Sequence, residues 1–446
     1  MGKMQVVRVA IIGAGGGGLC ALRHLMGPRT LKKTDGDGDH QGVQFEAVCF
    51  EQAAKVGGTW AYTDQVGRDE HGNSIHSSMY KNLKTNLPKQ CMAFPDFPFH
   101  NDLPSFIGHE DVQNYLEDYA DSFGILKYIQ FYRQVQLVKP MHDKDSRYGL
   151  RWEVTTRSVL DPQDDGETDV YDAVLMGNGN YAIPFLPTLP GSESYEGQIV
   201  HSHNYRRPEP YRDQVVVMLG ANASGQDIAL ELSDVAKKVY ISHNKAHLQS
   251  RFPDNVKEKP GIERLDANYK ITFLDNTSVN ADSLILCTGY HYDYSFLAPE
   301  CGIEVKDFRV TPLYKHLVNT KFPTMAVLGI CKRIVPFPFF DIQVQFFRAV
   351  LEGSVVLPNE ADMNEDTECD YQERLSKGRP HRYSHEMSGC MFQYLNELAD
   401  MACVERIPKN YEVIYDLVAF QRKTDVMNYK KMNFALNDKG DGYVVL

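Results

Sequence analysis

The sequence contains no apolar run long enough to span a membrane, since a spanning helix needs roughly 18 consecutive apolar residues. It contains no Cys-x-x-Cys pair, which argues against a zinc site and a dithiol redox motif. Its nine cysteines are scattered and odd in number, and they predict reduced thiols in a cytoplasmic protein. Basic residues are outnumbered, 47 Lys and Arg against 59 Asp and Glu, and the net charge is −12. We therefore expect neither a nucleic-acid partner nor a membrane partner.

What is present is an ordinary globular composition, with 446 residues of which 43% are hydrophobic. This length predicts about two or three domains. Strands and helices alternate along the chain, which indicates an α/β fold. One pattern of strand, glycine-rich turn, helix and strand occurs twice, with predicted elements at 6–12, 19–26 and 43–50, and again at 215–219, 225–232 and 238–241. The sequence thus predicts two dinucleotide-binding, Rossmann-like modules.

The first glycine-rich turn reads GAGGGG and places Gly13, Gly15 and Gly18 in the G-x-G-x-x-G spacing. In this motif the first glycine allows a tight turn, the second lets the backbone approach a pyrophosphate, and the third lets helix and strand pack closely. Glu51 ends the next strand, where a carboxylate accepts hydrogen bonds from ribose hydroxyls. The polar insertion 32–42 accounts for its long spacing from the glycines.

The second turn reads GANASG, in which Gly220 and Gly225 keep the outer positions and Asn222 replaces the middle glycine. We expect the turn to form, because asparagine tolerates left-handed backbone better than most residues. No acid follows the next strand, and Lys245 stands there instead, close to His243. A cation at this place favours the 2′-phosphate of NADPH over NADH. Two dinucleotide modules in one chain predict a flavoprotein oxidoreductase, because nicotinamide donates a hydride that flavin accepts.

Several other segments carry weaker predictions. The Pro-rich stretch 183–191 is interpreted as a linker into the second module, and the acidic stretch 359–373 as a solvated surface loop. The Phe-rich run PFPFFDIQVQFF is interpreted as core. His201 with His203, and His381 with His385, lack a third ligand at a recognisable spacing, so we predict no metal site.

Four motifs together give the chain a family resemblance. They are YEGQIVHSHNY with Gly197, His201 and Tyr205, GGTW at 57–60, LKTNLPKQCMAFPDFPF at 83–99 and LILCTGY at 284–290. On these motifs, from about residue 6 to 357, the sequence resembles the flavin-containing monooxygenase family. Related Baeyer–Villiger enzymes carry tryptophan where Tyr205 stands, so this position favours the N- and S-oxygenating group.

The resemblance implies FAD in the first module and NADPH in the second, with the NADPH domain at 189–292 inserted into an FAD domain at 1–188 and 293–446. It implies a catalytic asparagine at Asn86, whose amide protects the oxygenated flavin. The residues implied to bind the cofactors are Gly13, Ala14, Gly15, Gly16, Gly17, Gly18, Glu51, Gln52, Gly58, Thr59, Trp60, Thr85, Asn86, Leu87, Val135, Ser224, Gly225, Gln226, Asp227, Lys245 and Gln343. Among them Lys245 matches a family arginine.

The implied reaction uses NADPH and dioxygen to form a C4a-hydroperoxyflavin, which then oxygenates a soft nitrogen or sulfur nucleophile. The chain is similar in length to the compact insect and microbial members, which favours N-oxygenation of tertiary-amine alkaloids as in insects. A Baeyer–Villiger or N-hydroxylating enzyme and a non-oxygenating NADPH:flavin reductase remain as alternatives. The oligomeric state is open, and a homo-oligomer is compatible with the sequence.

Overall fold

The computed structural model describes residues 5–28, 43–437 and 442–446. The polar insertion 32–42 lies outside these ranges. In the described residues the helices are α1 (Gly16–Met26), α2 (Lys89–Met92), α3 (His109–Ser122), α4 (Ala223–Ser233), α5 (Pro336–Glu352), α6 (Glu360–Ser376), α7 (Met391–Met401) and α8 (Lys409–Thr424). Among the helices of these ranges, none is both long and apolar enough for a membrane span.

The strands of the described ranges are β1 (Gln5–Ile12), β2 (Val43–Phe50), β3 (Ile129–Gln130), β4 (Arg133–His142), β5 (Leu150–Ser158), β6 (Glu167–Tyr171), β7 (Ala173–Met176), β8 (Ile183–Pro184), β9 (Gln198–His201), β10 (Val215–Leu219), β11 (Lys238–Ser242), β12 (Val256–Lys259), β13 (Ile262–Asp266), β14 (Lys270–Phe273), β15 (Ser278–Asn280), β16 (Ser283–Leu286), β17 (Tyr290–His291), β18 (Glu304–Lys306), β19 (Arg309–Thr311), β20 (Leu313–Tyr314), β21 (Val318–Asn319), β22 (Met325–Val327), β23 (Phe434–Leu436) and β24 (Tyr443–Val445).

The first module is a sheet of order β20–β21–β22–β7–β1–β2–β3. Its interior strand β1 pairs in parallel with β2 on one side and with β7 on the other. The apolar run at residues 9–12 of β1 is buried at every position, as expected for a parallel strand covered on both faces. The predicted strand at 43–50 is confirmed to the residue, and the predicted strand 6–12 and helix 19–26 correspond to β1 and α1.

The second module is a parallel sheet of order β12–β11–β10–β16–β9. Its strands β10 and β11 and its helix α4 confirm the predicted elements within one or two residues. This sheet lies in the chain between β7 and β22, which are hydrogen-bonded neighbours in the first sheet. The second Rossmann-like module is therefore inserted into the first, as the sequence predicts.

The two chain segments that connect the modules are paired with each other. Strand β8, in the predicted linker 183–191, runs antiparallel to β17, so the entry and exit segments form one ribbon. Two further hydrogen bonds extend the ribbon, from Phe185 N to Gly289 O at 2.8 Å and from Thr288 Oγ1 to Phe185 O at 2.5 Å. This pairing restricts how far the two modules can move apart.

The interpretation of 359–373 as a loop is wrong, because this segment forms most of α6. The Asn359 side chain caps the helix by accepting the Asp362 N–H at 3.0 Å. Ion pairs one turn apart join Arg374 to Asp370 and Lys377 to Glu373. A cap and such pairs stabilise a helix whose surface is almost wholly polar.

Helix α5 confirms the Phe-rich run as core, since Phe337, Phe339 and Phe346 are fully buried. It packs on α1, where the His24 Nε2 atom lies 2.6 Å from the Asp341 Oδ1 atom. Cys20 lies beside this pair, and within the described ranges these three side chains are the one group with potential metal-ligand atoms close together. The hydrogen bond between His24 and Asp341 joins α1 to α5 behind the first glycine-rich turn.

Candidate nucleotide-binding and active site

The first glycine-rich turn joins β1 to α1 in a conformation that requires glycine at its ends. Gly13 has a φ of +96°, and a Cβ on Gly18 would lie 1.9 Å from the Gly13 carbonyl oxygen. A Cβ on Gly15, by contrast, would meet its nearest neighbour, Gly58 Cα, at 3.6 Å. No side chain caps α1, so its N-terminus presents N–H groups and a positive dipole end to an anion. This geometry fits a pyrophosphate.

Gly16 and Gly17 have a different reason to be glycine. A Cβ at either position would lie 2.7 Å from a side-chain carbon, of Phe337 for Gly16 and of Leu328 for Gly17. The first turn of α1 is therefore covered by core side chains on its inner face. A side chain at either position would collide with this core, so both residues can contact a ligand only through their backbone atoms.

Glu51 directly follows β2 beside the turn and is 7% exposed. Its Oε2 accepts the Ala14 N–H at 2.8 Å and its Oε1 accepts the Ala53 N–H at 2.8 Å. An ionised carboxylate has about four acceptor positions, so two remain for ribose hydroxyls. Gln52 next to it accepts a hydrogen bond from Gln134 at 3.3 Å, and Val135 follows Gln134 on β4.

The GGTW segment is held against the first turn. The Gly57 N–H donates to the Ala14 carbonyl at 3.0 Å. Thr59 is fixed by Ser77, whose hydroxyl donates to the Thr59 carbonyl at 2.7 Å, and Trp60 is half-buried. Gly58, Thr59 and Trp60 thus lie together at the edge of the first turn.

The TNL segment follows along the chain. Thr85 is buried, and its hydroxyl accepts the Ile107 N–H at 3.2 Å. Asn86 and Leu87 are half-buried. No hydrogen bond of the Asn86 amide to another residue of the described ranges is found, so its donor and acceptor are open to a ligand.

The second turn reproduces the first in detail. Gly220 has a φ of +118°, and a Cβ on Gly225 would again lie 1.9 Å from the carbonyl oxygen of the first glycine. The expectation that Asn222 uses its left-handed tolerance is wrong, because its φ of −85° and ψ of −163° are extended. Gly15 has the same extended backbone in the first turn. The middle position of this turn therefore needs space for the ligand, and it does not need a residue that adopts a positive φ.

The other predicted residues of the second turn lie on the first turns of α4. Ser224 is exposed at the helix start, and Gln226 donates to the Ala221 carbonyl at 2.7 Å. Asp227 forms an ion pair with Lys430 at 2.5 Å. Lys430 also donates to the Lys84 carbonyl at 3.0 Å, so it joins α4 to the residues just before Thr85. Sequence reasoning missed Lys430, because no local motif surrounds it.

Lys245 lies at the open end of the second turn. Its Nζ donates to the Asn222 Oδ1 atom at 2.6 Å. Burial lowers the pKa of Lys245, and the charges of Arg333 and Arg382 lower it further. These two arginines come from outside the second module, and no sequence motif indicated them.

Gln343 differs from the other predicted residues in its burial and in its hydrogen bonds. It is fully buried, and its amide oxygen accepts the Gly329 N–H at 3.1 Å. Its amide nitrogen donates to the Tyr394 hydroxyl at 2.9 Å. The structure therefore holds this side chain inside the core, hydrogen-bonded to Gly329 and Tyr394, and it is not exposed for contact with a ligand.

The motif YEGQIVHSHNY contacts residues 75–84, since the His203 Nε2 atom lies 3.0 Å from the Ile75 carbonyl oxygen. Tyr205 is fully buried, and its hydroxyl donates to Glu231 at 2.6 Å. His201 Nδ1 accepts the His203 N–H at 3.0 Å, and the other nitrogen lies 3.1 Å from the Gly289 carbonyl. These contacts require neutral His201 with its proton on Nε2.

His201 gives a testable pH dependence. Burial, together with the nearby His203, lowers its pKa from the usual 6.5 to about 4. The folded state thus disfavours protonated His201, so its stability contribution is complete above pH 6.5 and is lost as the pH falls toward 4. Between pH 6.5 and 5 we expect up to about 2 kcal/mol of this loss in urea unfolding.

The variant His201→Asn keeps an acceptor for the His203 N–H but does not titrate. We expect it to be less stable than the parent at pH 7, and to lose less free energy of unfolding between pH 6.5 and 5. An unchanged slope of stability against pH in this variant would rule out His201 as its origin.

These features define the class of protein: a two-dinucleotide oxidoreductase in which the segment 77–87 runs from one nucleotide turn to the other. A family model described as flavin-binding monooxygenase-like matches residues 6–257 and 249–415. The chain belongs to this family. It is a flavin-dependent monooxygenase, and its cofactors are FAD and NADPH.

Similar proteins come from plants and bacteria. The flavin-containing monooxygenase FMO GS-OX-like 2 of Arabidopsis thaliana is 35% identical over 438 residues, which cover 93% of this chain and 88% of that protein. The S-allyl-L-cysteine S-oxygenase of Allium sativum has a TM-score of 0.84 at 33% identity, with 95% of both chains covered. Tmm from Pelagibacter sp. strain HTCC7211 has a TM-score of 0.82 at 27% identity, covering 98% of this chain and 96% of that one.

Proposed function

We propose that this monooxygenase transfers one oxygen atom from dioxygen to a soft nitrogen or sulfur nucleophile. The observation that carries the proposal is the open amide of Asn86, on a segment tied to both nucleotide turns. Ser77 connects this segment to the GGTW side of the FAD turn, and Lys430 connects it to α4 of the second module. An amide at this place can meet both cofactors.

The proposal assigns the FAD domain to residues 1–188 and 293–446 and the NADPH domain to residues 189–292. The pairing of β8 with β17 supports these boundaries, because it marks the two crossings between the modules. All nine cysteines are free thiols, which supports a cytoplasmic location.

Bound FAD, reduced by hydride from NADPH, supplies the chemistry that activates oxygen. The chain binds it by the N–H groups of the α1 N-terminus and by Glu51, whose two remaining acceptor positions suit the ribose. The Asn86 amide would hold the reacting edge of the flavin by a hydrogen bond and would help to keep water from it. No nucleophilic side chain is needed, since the substrate itself is the nucleophile.

Two substrate classes fit this reaction. A sulfide is supported by the 33% identical structural relative, which is an S-oxygenase. A tertiary amine such as an alkaloid is supported by the similarity in length to the compact insect members. Tyr205, which stands where Baeyer–Villiger relatives carry tryptophan, supports both classes equally. Both are soft nucleophiles, and one site can serve both.

The test is a turnover screen with NADPH and dioxygen against tertiary-amine alkaloids, thioether amino acids, primary amines and ketones. We expect an N-oxide or a sulfoxide, with one NADPH consumed per product. An ester from a ketone or a hydroxylamine from a primary amine would contradict the proposed class. NADPH consumption that yields only hydrogen peroxide with every compound would indicate a reductase.

The variant Lys245→Ala tests whether the protein distinguishes NADPH from NADH. We expect Lys245→Ala to raise the KM for NADPH by about tenfold, because a charge-assisted bond to the 2′-phosphate is lost. The KM for NADH should not change. Lys237→Ala is the control, since this exposed lysine precedes β11 at its opposite end. Equal changes for both nucleotides would reject a phosphate role for Lys245.

A further inference from the structure

Lys332 has an ammonium group without an oxygen acceptor. The residue is half-buried, and within residues 5–28, 43–437 and 442–446 its Nζ atom forms neither a hydrogen bond nor an ion pair. Its neighbours are two aromatic rings, with Nζ 4.7 Å from the centre of the Tyr292 ring and 5.4 Å from the centre of the Phe308 ring. The rings attract the positive charge, but they leave the three N–H donors of the ammonium without an oxygen to bind.

The loop that carries Lys332 packs against the first glycine-rich turn. This loop joins β22 to α5, and β22, β7 and β1 are adjacent parallel strands, so the loops that follow them share one edge of the sheet. Before Lys332 in the chain, Leu328 fills the space beside Gly17, and after it, Phe337 fills the space beside Gly16. Both ends of the loop therefore lie against the first turn of α1.

A short stretch after β7 connects this loop to the segment 77–87. The Asn180 amide donates to the Gly329 carbonyl oxygen at 2.5 Å. The Asn178 carbonyl oxygen lies 3.0 Å from the His76 Nε2 atom, just before that segment. The loop and the segment with the proposed catalytic amide are therefore held against the same few residues.

Aromatic rings form the surface next to Lys332. Tyr181 is 48% exposed and packs edge to face on Tyr290, with the ring centres 5.4 Å apart. Tyr292 lies two residues further along the chain, and its hydroxyl donates to the Ile330 carbonyl at 2.8 Å. Rings of this kind bind the apolar part of a small ligand, and a few polar groups fix its orientation. Here the polar group is the unpaired cation of Lys332.

Lys332 is charged at neutral pH. Burial, together with the charge of Arg382, lowers the pKa of Lys332 to about 8, whereas Glu386 acts to raise it. Most of the protein therefore carries a protonated Lys332 at pH 7. The Glu386 carboxylate lies 3.4 Å from Arg333 instead. Because a half-buried ammonium without a partner is costly, an anionic ligand group is favoured beside it.

We propose that Lys332 binds a carboxylate group of the substrate, and that the preferred substrates are thioethers that carry such a group. The inference rests on the proposed oxygen transfer to a soft nucleophile and deepens it by naming the substrate class. The apolar part of the thioether packs on Tyr181 and Tyr292, and the carboxylate accepts hydrogen bonds from the Lys332 ammonium. A protonated tertiary amine without an anionic group is disfavoured, because Lys332 repels its charge.

The experiment compares two sulfides of the same shape, (benzylthio)acetate and (benzylthio)acetamide, as substrates of the FAD-loaded protein with NADPH and dioxygen. Sulfoxide formation gives kcat and KM for each compound. The parent should prefer the acid by about tenfold in kcat/KM, the size of one charge-assisted hydrogen bond. Lys332→Gln should lose this preference through a higher KM for the acid, and Lys332→Arg should restore part of it. The KM for NADPH should not change.

Lys321→Gln is the matched control. Lys321 is exposed, and its Nζ atom also lies over an aromatic ring, 5.0 Å from the centre of Phe322. It precedes β22, whereas Lys332 follows this strand, so the two lysines lie at opposite edges of the sheet. Lys321→Gln should keep the parent preference for the acid. Flavin content and urea unfolding of each variant show whether it is folded.

The outcomes separate this inference from the proposed function. If the parent oxidises both sulfides equally well, or if Lys332→Gln changes both by the same factor, the carboxylate site is overturned while oxygen transfer stands. If tertiary amines are oxidised and neither sulfide is, the substrate class named here is wrong, and oxygen transfer again stands. Hydrogen peroxide as the only product with every compound would overturn both.

Discussion

Gly18→Ala is expected to yield a protein without bound flavin. The added Cβ would lie 1.9 Å from the Gly13 carbonyl oxygen, and the atom in the way is backbone. Helix α1 must then move away from β1, which destroys the turn and exposes the contact of His24 with Asp341. We expect a loss of about 3 kcal/mol or more in the free energy of unfolding, at the upper end for overpacked sites. The absorbance of flavin per mole of purified protein and a urea titration measure both effects.

Two alanine variants serve as matched controls. Gly225→Ala introduces the same 1.9 Å overlap in the second turn, so it should lose NADPH binding while the protein stays yellow. Gly15→Ala meets nothing closer than 3.6 Å and keeps an allowed φ, so it should fold normally and still bind flavin weakly, because its methyl group enters the pyrophosphate space. A yellow, fully stable Gly18→Ala protein would contradict the role of the turn.

The two nucleotide turns could be predicted from the sequence because their determinants are local. Each needs a short apolar strand, glycines at fixed spacing and a helix directly after them. The same local logic failed in part at Asn222, where substitution of a glycine suggested left-handed backbone. The backbone there is extended, and a motif of one-letter symbols does not distinguish a glycine needed for φ from one needed for space.

The acidic helix α6 was missed for a different reason. Its only fully buried apolar side chain is Met363, so no apolar stripe of helical period marks it. Asn359 at the start and the pairs of opposite charge four residues apart were the available signals. The large excess of acidic residues in the segment led instead to the prediction of a solvated loop.

The remaining contributors come from residues far apart in the sequence. Lys430 reaches Lys84 across 346 positions, and the charges of Arg333 and Arg382 act on Lys245 from outside the second module. Isolated residues such as these belong to no periodic pattern and to no motif of fixed spacing, so the sequence alone does not reveal them. Only the tertiary fold brings such residues together.

Asn86→Ala is expected to separate NADPH consumption from product formation. The Asn86 amide has no partner in the described ranges, and its segment is fixed by Thr85 and by Lys430. Removal of the amide should therefore leave the fold and flavin content intact. We expect product formation to fall about 10²–10³-fold, the size seen when one positioned donor is removed from a reacting centre. Hydrogen peroxide should account for the NADPH that is consumed, as measured by parallel assays of peroxide and oxygenated product.

Asn86→Asp sharpens this test, because aspartate keeps the size and turn preference of asparagine but replaces its donor with a negative charge. It should fail as Asn86→Ala does, whereas loss of bulk alone would leave it active. Asn82→Ala is the control on the same segment, since the Asn82 amide donates to Glu231 at 2.7 Å on the protein surface. That variant should keep the parent ratio of product to peroxide. If Asn86→Asp retained this ratio as well, oxygen transfer would depend on the shape of the segment and the amide would have no part in it.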